Sequence, residues 1–179
     1  MKCFVDLETT GLEASESGIV QIAIIIGKDS FEAKVKPFKG CVFHDKATEV
    51  NGISKEDTKS FEEENAVARR LELFLMKHKV GREQFEFCGY NSRFDMDFFT
   101  AFCKRTKINY WSFFNYYDVD IFALVKILGI SAVGANGKTS KKLVDICKLF
   151  DITFDAHDAL EDVKATKKLY KKLCKKYLK

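Results

Sequence analysis

Three short runs of apolar or alternating residues near the start of the chain constrain its fold most strongly. They span residues 2–7 (KCFVDL), 19–26 (IVQIAIII) and 31–36 (FEAKVK), and turn-prone segments separate them. Runs of this length that are bounded by turns are typical of consecutive strands in an antiparallel sheet. The sequence therefore predicts that a three-stranded antiparallel meander begins the fold.

Helix-like and strand-like segments alternate after Pro37, the only proline of the chain. Periodicity predicts strands at residues 85–90 and 116–119, and helices at residues 65–78, 94–104, 120–128, 140–149 and 158–177. Neither an internal repeat nor a linker-like tract marks a boundary between domains. We therefore predict one α/β domain over residues 1–179.

The composition of the chain indicates the cellular compartment of the protein more clearly than its activity. Thirty lysine and arginine residues against 26 acidic residues give a formal charge of +4, an excess too small to indicate a nucleic-acid binder. No stretch has the apolar length of a signal sequence or a membrane span, so we expect a soluble, unexported protein with no membrane partner. The scattered cysteines form no C-x-x-C pair, which favours reduced thiols and a cytoplasmic setting.

The last predicted helix has two contrasting sides. At about 100° per residue, one side collects Ala159, Val163, Thr166, Tyr170, Leu173 and Tyr177. The other side collects Lys164, Lys167, Lys168, Lys171, Lys172, Lys175, Lys176 and Lys179. Asp162 lies at the edge of the apolar side, so its carboxylate can point toward the sheet. We interpret the lysines as a solvated face that complements the helix dipole, with a direct track for phosphates as the alternative.

Two acids stand together in the first predicted strand. Asp6 and Glu8 are separated by one residue, and the period of a strand puts both carboxylates on one face. Like charges directed together repel one another unless a cation neutralises them, and Mg²⁺ prefers oxygen ligands of this kind. Such a pair is more often a solvated strand end, so the two acids alone are weak evidence for a metal site.

Three segments supply the missing context: VDLETTGL at 5–12, NSRFD at 91–95 and HDALED at 157–162. In order and spacing they resemble the three motifs of the DEDDh group of DnaQ-like 3′→5′ exonucleases. The intervening EVNGIS, DVDIFAL and KLVDICKLFDI also resemble connecting segments of that family, so the resemblance covers nearly the whole chain. It implies a ribonuclease H-like mixed sheet, with three antiparallel strands and then parallel strands, flanked by helices.

The resemblance also implies roles for five residues. Asp6, Glu8, Asp95 and Asp162 become the ligands of two divalent cations, Mg²⁺ or Mn²⁺, and His157 becomes the general base. Asp6 is expected to bridge both ions, Glu8 and Asp162 to complete the site on the side of the nucleophile, and Asp95 to support the leaving-group side. Two such ions activate the attacking water and stabilise the leaving oxygen of an in-line displacement.

Thr9 and Leu12 follow the first acids, and the resemblance implies that they receive the terminal nucleotide. The Thr9 backbone would meet the 3′-hydroxyl, and the Leu12 side chain would pack against the last base. An ordinary packing role in the core is the alternative for Leu12. We expect Phe94, Phe98 and Phe99 to belong to the core.

The expected activity is 3′→5′ removal of nucleoside 5′-monophosphates from single-stranded or frayed ends, with DNA preferred. An enzyme that trims RNA 3′ ends is the alternative within the family, since the 2′-hydroxyl contact cannot be identified in the sequence. An idle nucleic-acid-binding module is the alternative from another class. A polymerase or repair partner is conceivable, but no clamp-binding peptide follows the last helix, which favours a stand-alone enzyme of unknown oligomeric state.

Two other patterns resemble known sites. AVGANGKT at 132–139 satisfies a loose phosphate-loop pattern, but the segment before it is predicted as helix, whereas a phosphate loop follows a strand. Lys138 of this loop is still a candidate for contact with phosphate. The paired aspartates of DVD at 118–120 lack a completing set and are interpreted as packing at a strand end.

Overall fold

The computed structural model describes residues 1–178, which form strands, α-helices and one short 3₁₀ turn at Asp57–Ser60. The strands are β1 (Lys2–Thr9), β2 (Ile19–Ile26), β3 (Asp29–Lys36), β4 (Glu62–Glu63), β5 (Phe85–Gly89), β6 (Phe114–Asp120), β7 (Ala132–Val133) and β8 (Thr139–Ser140). The helices are α1 (Asp45–Asn51), α2 (Glu64–His78), α3 (Ser92–Thr106), α4 (Tyr110–Phe113), α5 (Ile121–Ile127), α6 (Leu143–Lys148) and α7 (Ala159–Tyr177).

The first six strands form one mixed sheet in the order β4-β3-β2-β1-β5-β6. Strands β1, β2 and β3 are antiparallel neighbours, whereas β5 is parallel to β1 and β6 is parallel to β5. Strands β7 and β8 form a separate antiparallel pair. The arrangement confirms the predicted mixed sheet, which is antiparallel first, then parallel, and flanked by helices.

Helices cover both faces of the sheet and make two cores. Helices α2, α3 and α4 pack on the face that carries Val5 and Leu7 of β1. Helices α5, α6 and α7 pack on the other face, which carries Phe4 of β1. Every residue of the central strand β2 is buried, because both of its faces are covered. Of the helices described, none has the length and apolar character needed to cross a bilayer.

The predicted two-sided character of α7 is largely confirmed. Its buried residues include Ala159, Val163, Thr166 and Leu173 of the predicted apolar side, together with Asp162. The predicted set omits Leu169, which is fully buried, and wrongly includes Tyr177, which is 40% exposed near the end of the helix. Most of the lysines on the other side are exposed, and Lys179 lies outside the described residues.

Candidate active site

Strand β1 carries two of the predicted metal ligands. Asp6 and Glu8 alternate with buried apolar residues, so both carboxylates leave the sheet on the face that α7 covers. In the register of the neighbouring strand β2, Asp6 lies opposite Ala23, and Glu8 lies opposite Gln21. The one face of β1 that carries charge is therefore turned toward the first turn of α7.

Helix α3 brings a third acid to the same end of the sheet. Asn91 has a left-handed backbone with a φ of 65°, which turns the chain sharply from β5 into α3. Asp95 follows in the first turn and is buried, and its Oδ1 atom accepts a hydrogen bond of 3.1 Å from the backbone N–H of Leu7. Leu7 lies between Asp6 and Glu8 in the chain, so this bond fixes the start of α3 next to both acids of β1.

The start of α7 brings the fourth acid and the predicted base. The Asp158 carboxylate caps the helix by accepting hydrogen bonds from the N–H groups of Leu160 and Glu161. His157 just before it has a φ of 73°, a conformation that is costly for a residue other than glycine. Its backbone N–H donates a hydrogen bond of 2.9 Å to Oδ2 of Asp162. His157 and Asp162 are therefore held as one unit, with the imidazole exposed and the carboxylate buried.

The predicted residues meet in one place. Ligand atoms of Glu8, His157 and Asp162 all lie within 4.8 Å of one another, an arrangement that could hold a metal ion. Asp6 lies close enough to Asp95, Asp162 and Glu8 for their charges to raise its pKa. The structure thus brings all five residues of the predicted acid and histidine set together, from three separate parts of the chain.

Burial and mutual repulsion raise the pKa of every acid in this cluster. Burial is the main cause at Asp6 and Asp95, where the pKa is well above the usual range, although the Leu7 N–H opposes the rise at Asp95. Burial and the charge of Asp162 raise the pKa of Glu8 to about 7. Burial raises the pKa of Asp162 to about 6, against the His157 N–H bond. Four carboxylates that repel one another when ionised suit hard divalent cations, because bound cations would neutralise their charge.

Two residues that support the cluster were not predicted. Gln21 is 2% exposed, its Nε2 donates a hydrogen bond of 3.1 Å to Asp158, and its Oε1 accepts from the first N–H of α7. Asn51 at the end of α1 donates a hydrogen bond of 3.0 Å to the carbonyl of Thr9, and a hydrogen bond from its side chain lowers the pKa of Glu8. Gln21 is the one polar residue in the apolar run of β2, which was a signal for a special role.

Two hollows flank the acids and share a wall. The first, of about 750 Å³, is lined by Asp6, Asp95, His157 and Asp162 and also by Tyr90, Phe122, Lys141 and Lys142. The second, of about 920 Å³, is lined by Thr9, Leu12, Val50 and Asn51, among others. Leu7, Glu8 and Phe94 line both hollows. The two hollows are therefore adjacent, with these three residues between them, and we refer to the two together as the groove.

The second hollow contains both residues that were predicted to receive a terminal nucleotide. Thr9 is buried, and its hydroxyl donates a hydrogen bond of 2.7 Å to the carbonyl of Gly11. Leu12 is 78% exposed and Val50 in the same hollow is 53% exposed, so the alternative that packs Leu12 into the core is wrong. An apolar side chain with this exposure is available to a ligand in the groove.

The expected core role of the phenylalanines holds only in part. Phe98 and Phe99 are buried in the core beneath α3, as predicted. Phe94 is only partly buried, and it lines both hollows of the groove. The first turn of α3 therefore presents an aromatic side chain next to the acids, while the following turns pack inward.

The loose phosphate-loop pattern at 132–139 and the DVD segment at 118–120 both have structural roles. Residues 132–140 form the β7 and β8 hairpin, and no helix starts at the GKT within it, so a phosphate loop is excluded. Asp120 caps α5 and also accepts a hydrogen bond of 3.0 Å from the N–H of Asn91. Asp118 accepts a hydrogen bond from the hydroxyl of Ser92. The DVD segment therefore fixes the turn between β5 and α3, as the interpretation of strand-end packing requires.

Two relatives align with most of this chain. The chain is 28% identical to ribonuclease T of Buchnera aphidicola subsp. Baizongia pistaciae over 97% of this chain and 83% of that protein. It is also 28% identical to ribonuclease T of Histophilus somni, over 93% of this chain and 79% of that protein.

Exonuclease I of E. coli, solved in complex with a dT13 oligonucleotide, has a similar fold. It superposes with a TM-score of 0.79 at 22% identity, over 97% of this chain and 41% of that chain. Exonuclease I of Methylocaldum szegediense gives a TM-score of 0.80 at 22% identity, over 99% of this chain and 41% of that chain. The chain thus spans about two fifths of the length of these structural neighbours.

The family match covers most of the chain. Residues 3–170 match the RNase_T family, which is described as an exonuclease family. This range contains all of β1 except Lys2, the start of α3, and the start of α7 with His157 just before it, so it includes the acid cluster and the histidine. The chain therefore belongs to the RNase_T exonuclease family, and it is a nuclease of the DnaQ-like group with a ribonuclease H-like fold.

Proposed function

We propose that this protein is a metal-dependent 3′→5′ exonuclease that releases nucleoside 5′-monophosphates one at a time from single-stranded or frayed ends. The observation that carries the proposal is the meeting of Asp6, Glu8, Asp95 and Asp162 with His157 at the groove. A complete set of acids with a histidine at their edge argues against an idle nucleic-acid-binding module. We assign the whole activity to a single domain over residues 1–179.

The acids of the cluster would hold two divalent cations, Mg²⁺ or Mn²⁺. When bound, such ions lower the pKa of an attacking water and stabilise charge on the phosphate and the leaving oxygen. Asp6, at the centre of the mutual repulsion among the acids, is assigned the bridging position. Glu8 and Asp162 are assigned to the nucleophile side, and Asp95, held by the Leu7 N–H, to the leaving-group side.

His157 is assigned the transfer of the proton from the attacking water. Its ring is exposed and lines the first hollow together with the acids, and a nitrogen of a neutral imidazole can accept a proton. The bond from its backbone to Asp162 keeps the ring next to the acids while leaving both ring nitrogens free of that constraint. The histidine is thus positioned by its main chain, and its side chain is left for chemistry.

The polarity of the reaction follows from the second hollow. If Thr9 and Leu12 receive the terminal 3′-hydroxyl and base, the last phosphodiester lies beside Glu8, which lines both hollows. The exposed Leu12 and Val50 suit contact with any base, because apolar contact with a base face does not depend on its sequence. A duplex end must then fray before its last nucleotide can enter.

The sugar of the substrate distinguishes two candidates. DNA is the first, and the similar fold of exonuclease I crystallised with a deoxyoligonucleotide is consistent with it. RNA 3′-end trimming is the second, and it is favoured by the relatives named ribonuclease T, which align over most of both chains. The six free cysteines suit a reducing, cytoplasmic setting for either. A polymerase or repair partner stays a prediction.

A time course on labelled oligonucleotides tests the proposal. Matched single-stranded DNA and RNA, each labelled at the 5′ end, are incubated with Mg²⁺ and compared with copies blocked by a 3′-phosphate. We expect a ladder that shortens by single nucleotides, slower decay of the blocked copies, and relative rates that identify the preferred sugar. Cleavage of circular single strands, or internal cuts indifferent to the 3′ block, would refute the role given to Thr9 and Leu12.

A further inference from the structure

Two lysines line the same hollow as the acids. Lys141 and Lys142 border the first hollow, which also contains Asp6, Asp95 and Asp162. Among residues 1–178 neither lysine forms an ion pair, although acids lie in the same hollow. Two cations that leave nearby carboxylates uncontacted are available for an anion from outside the chain.

The chain holds the backbone of this pair firmly. The hydroxyl of Tyr90, which lines the same hollow, donates to the carbonyl of Lys141. The hydroxyl of Ser140 accepts a hydrogen bond of 3.2 Å from the N–H of Lys142 and donates one of 2.6 Å to Asp145. The segment therefore has a fixed main chain and long side chains at the wall of the groove.

The GKT loop that precedes the pair does not share this position. Lys138, the phosphate candidate of that loop, lies directly before β8 in the β7 and β8 hairpin and is not among the residues that line either hollow. The hairpin instead brings the chain back to the groove at Lys141. Lys138 is thus a natural control, because it is a nearby lysine on the same hairpin but away from the acids.

We propose that Lys141 and Lys142 are positioning residues that bind the phosphate one linkage upstream of the scissile bond. The inference rests on the proposed function, which puts the terminal nucleotide in the second hollow with Thr9 and Leu12. A strand that continues past the acids must then leave through the first hollow, where the two lysines lie. The pair would hold the polynucleotide in place while the last phosphodiester reacts, and would favour substrates of at least three nucleotides.

The test compares Lys141→Gln/Lys142→Gln with Lys138→Gln on a DNA or RNA strand that the wild type degrades. We expect the double variant to raise KM by roughly 10-fold with little change in kcat, as for loss of charge-assisted contacts to one phosphate. The slope of log(kcat/KM) against log(salt) should fall by about one for each lysine that contacts phosphate. Lys138→Gln should behave as the wild type, and thermal melting should be unchanged in both variants.

A substrate with a neutral methylphosphonate at the linkage next to the scissile one provides the second arm. On this strand the KM of the wild type should rise roughly 10-fold. The KM of the double variant should rise little further, because the contact is already absent. A double variant with normal KM, normal salt slope and full sensitivity to the neutral linkage would overturn the assignment. If the wild type fails to shorten the unmodified strand, the proposed function itself is wrong, and the role of the lysines falls with it.

Discussion

Raising the pH of the metal-free protein should lower its free energy of unfolding, which is the opposite of the usual behaviour of carboxylates. Burial and repulsion raise the pKa of Glu8 to about 7 and that of Asp162 to about 6. A carboxyl with a raised pKa binds its proton more tightly in the folded than in the unfolded state. The protonated form therefore stabilises the fold, and this stabilisation is lost as the pH rises through the folded pKa.

The size of the effect follows from the two shifts between pH 5 and pH 8. A pKa of about 7 in place of 4.5 makes Glu8 contribute about 2.5 kcal/mol over this range. A pKa of about 6 in place of 3.8 makes Asp162 contribute about 1.4 kcal/mol. The charge of Asp162 is part of what raises the pKa of Glu8, and solvent screens the partly exposed Glu8. We therefore expect a net loss of about 2 kcal/mol.

Urea unfolding followed by circular dichroism, in excess chelator at pH 5 and pH 8, measures this difference. Glu8→Gln is the matched variant, since it keeps the size of the side chain and removes its charge, and it should lose more than half of the pH dependence. Added Mg²⁺ should restore stability at pH 8, because an ion that binds only the folded state stabilises it. Higher stability at pH 8 than at pH 5 in chelator would show that the acids do not repel one another as argued.

Three substitutions test individual parts of the site. His157→Ala should lower kcat by about 10²–10⁴-fold, as for a missing general base, with substrate binding retained. An unchanged kcat, under conditions in which chemistry limits turnover, would reject the assignment. Leu12→Ala should change stability by less than about 0.5 kcal/mol, because the side chain is 78% exposed. It should nevertheless raise KM roughly 10-fold. An unchanged KM would show that Leu12 does not contact the terminal nucleotide. Gly11→Ala should lower the free energy of unfolding, measured with urea, by about 1–3 kcal/mol. A Cβ atom there would lie 2.4 Å from Oγ of Ser17 and 2.3 Å from Cδ2 of His44. Unchanged stability would show that the loop relaxes freely.

Elements with a regular apolar pattern could be predicted from the sequence. The first three strands, α2 and α7 all bury one face or more, so their periodicity marks them. Four of the unpredicted elements lack such a pattern. Helix α1 buries none of its residues, and β4, β7 and β8 are two residues long, so each depends on contacts made elsewhere in the fold.

The site was predictable to the extent that its residues lie in motifs. Asp6, Glu8, Asp95, Asp162 and His157 lie in motifs that a single sequence displays, and the structure brings them together. Residues whose role comes from register alone could not be identified in this way. Gln21 faces the start of α7 only because β2 pairs with β1 in this register, and Asn51 reaches Thr9 across 42 positions of the chain.

Phe94 is a residue for which the helical periodicity predicted more burial than the structure has. Its spacing with Phe98 indicates a shared buried side of one helix, and the two rings do contact each other, with centroids 5.0 Å apart. Phe94 lies in the first turn of α3, however, where the helix projects beside the acids and the core ends. Periodicity identifies the side of a helix, whereas the point at which the core gives way to a groove depends on the packing of the whole domain.

The central claim is that the acid cluster acts through bound divalent cations, and one measurement tests it most directly. Shortening of a 5′-labelled single strand is followed for the wild type and for Asp6→Asn while Mg²⁺ is titrated from excess chelator to millimolar concentrations. Because Asp6 is assigned to both ions, we predict no shortening by the wild type in chelator, full activity with Mg²⁺, and none by Asp6→Asn at any Mg²⁺ concentration. Undiminished turnover in chelator, or an Asp6→Asn variant as active as the wild type, would contradict the account.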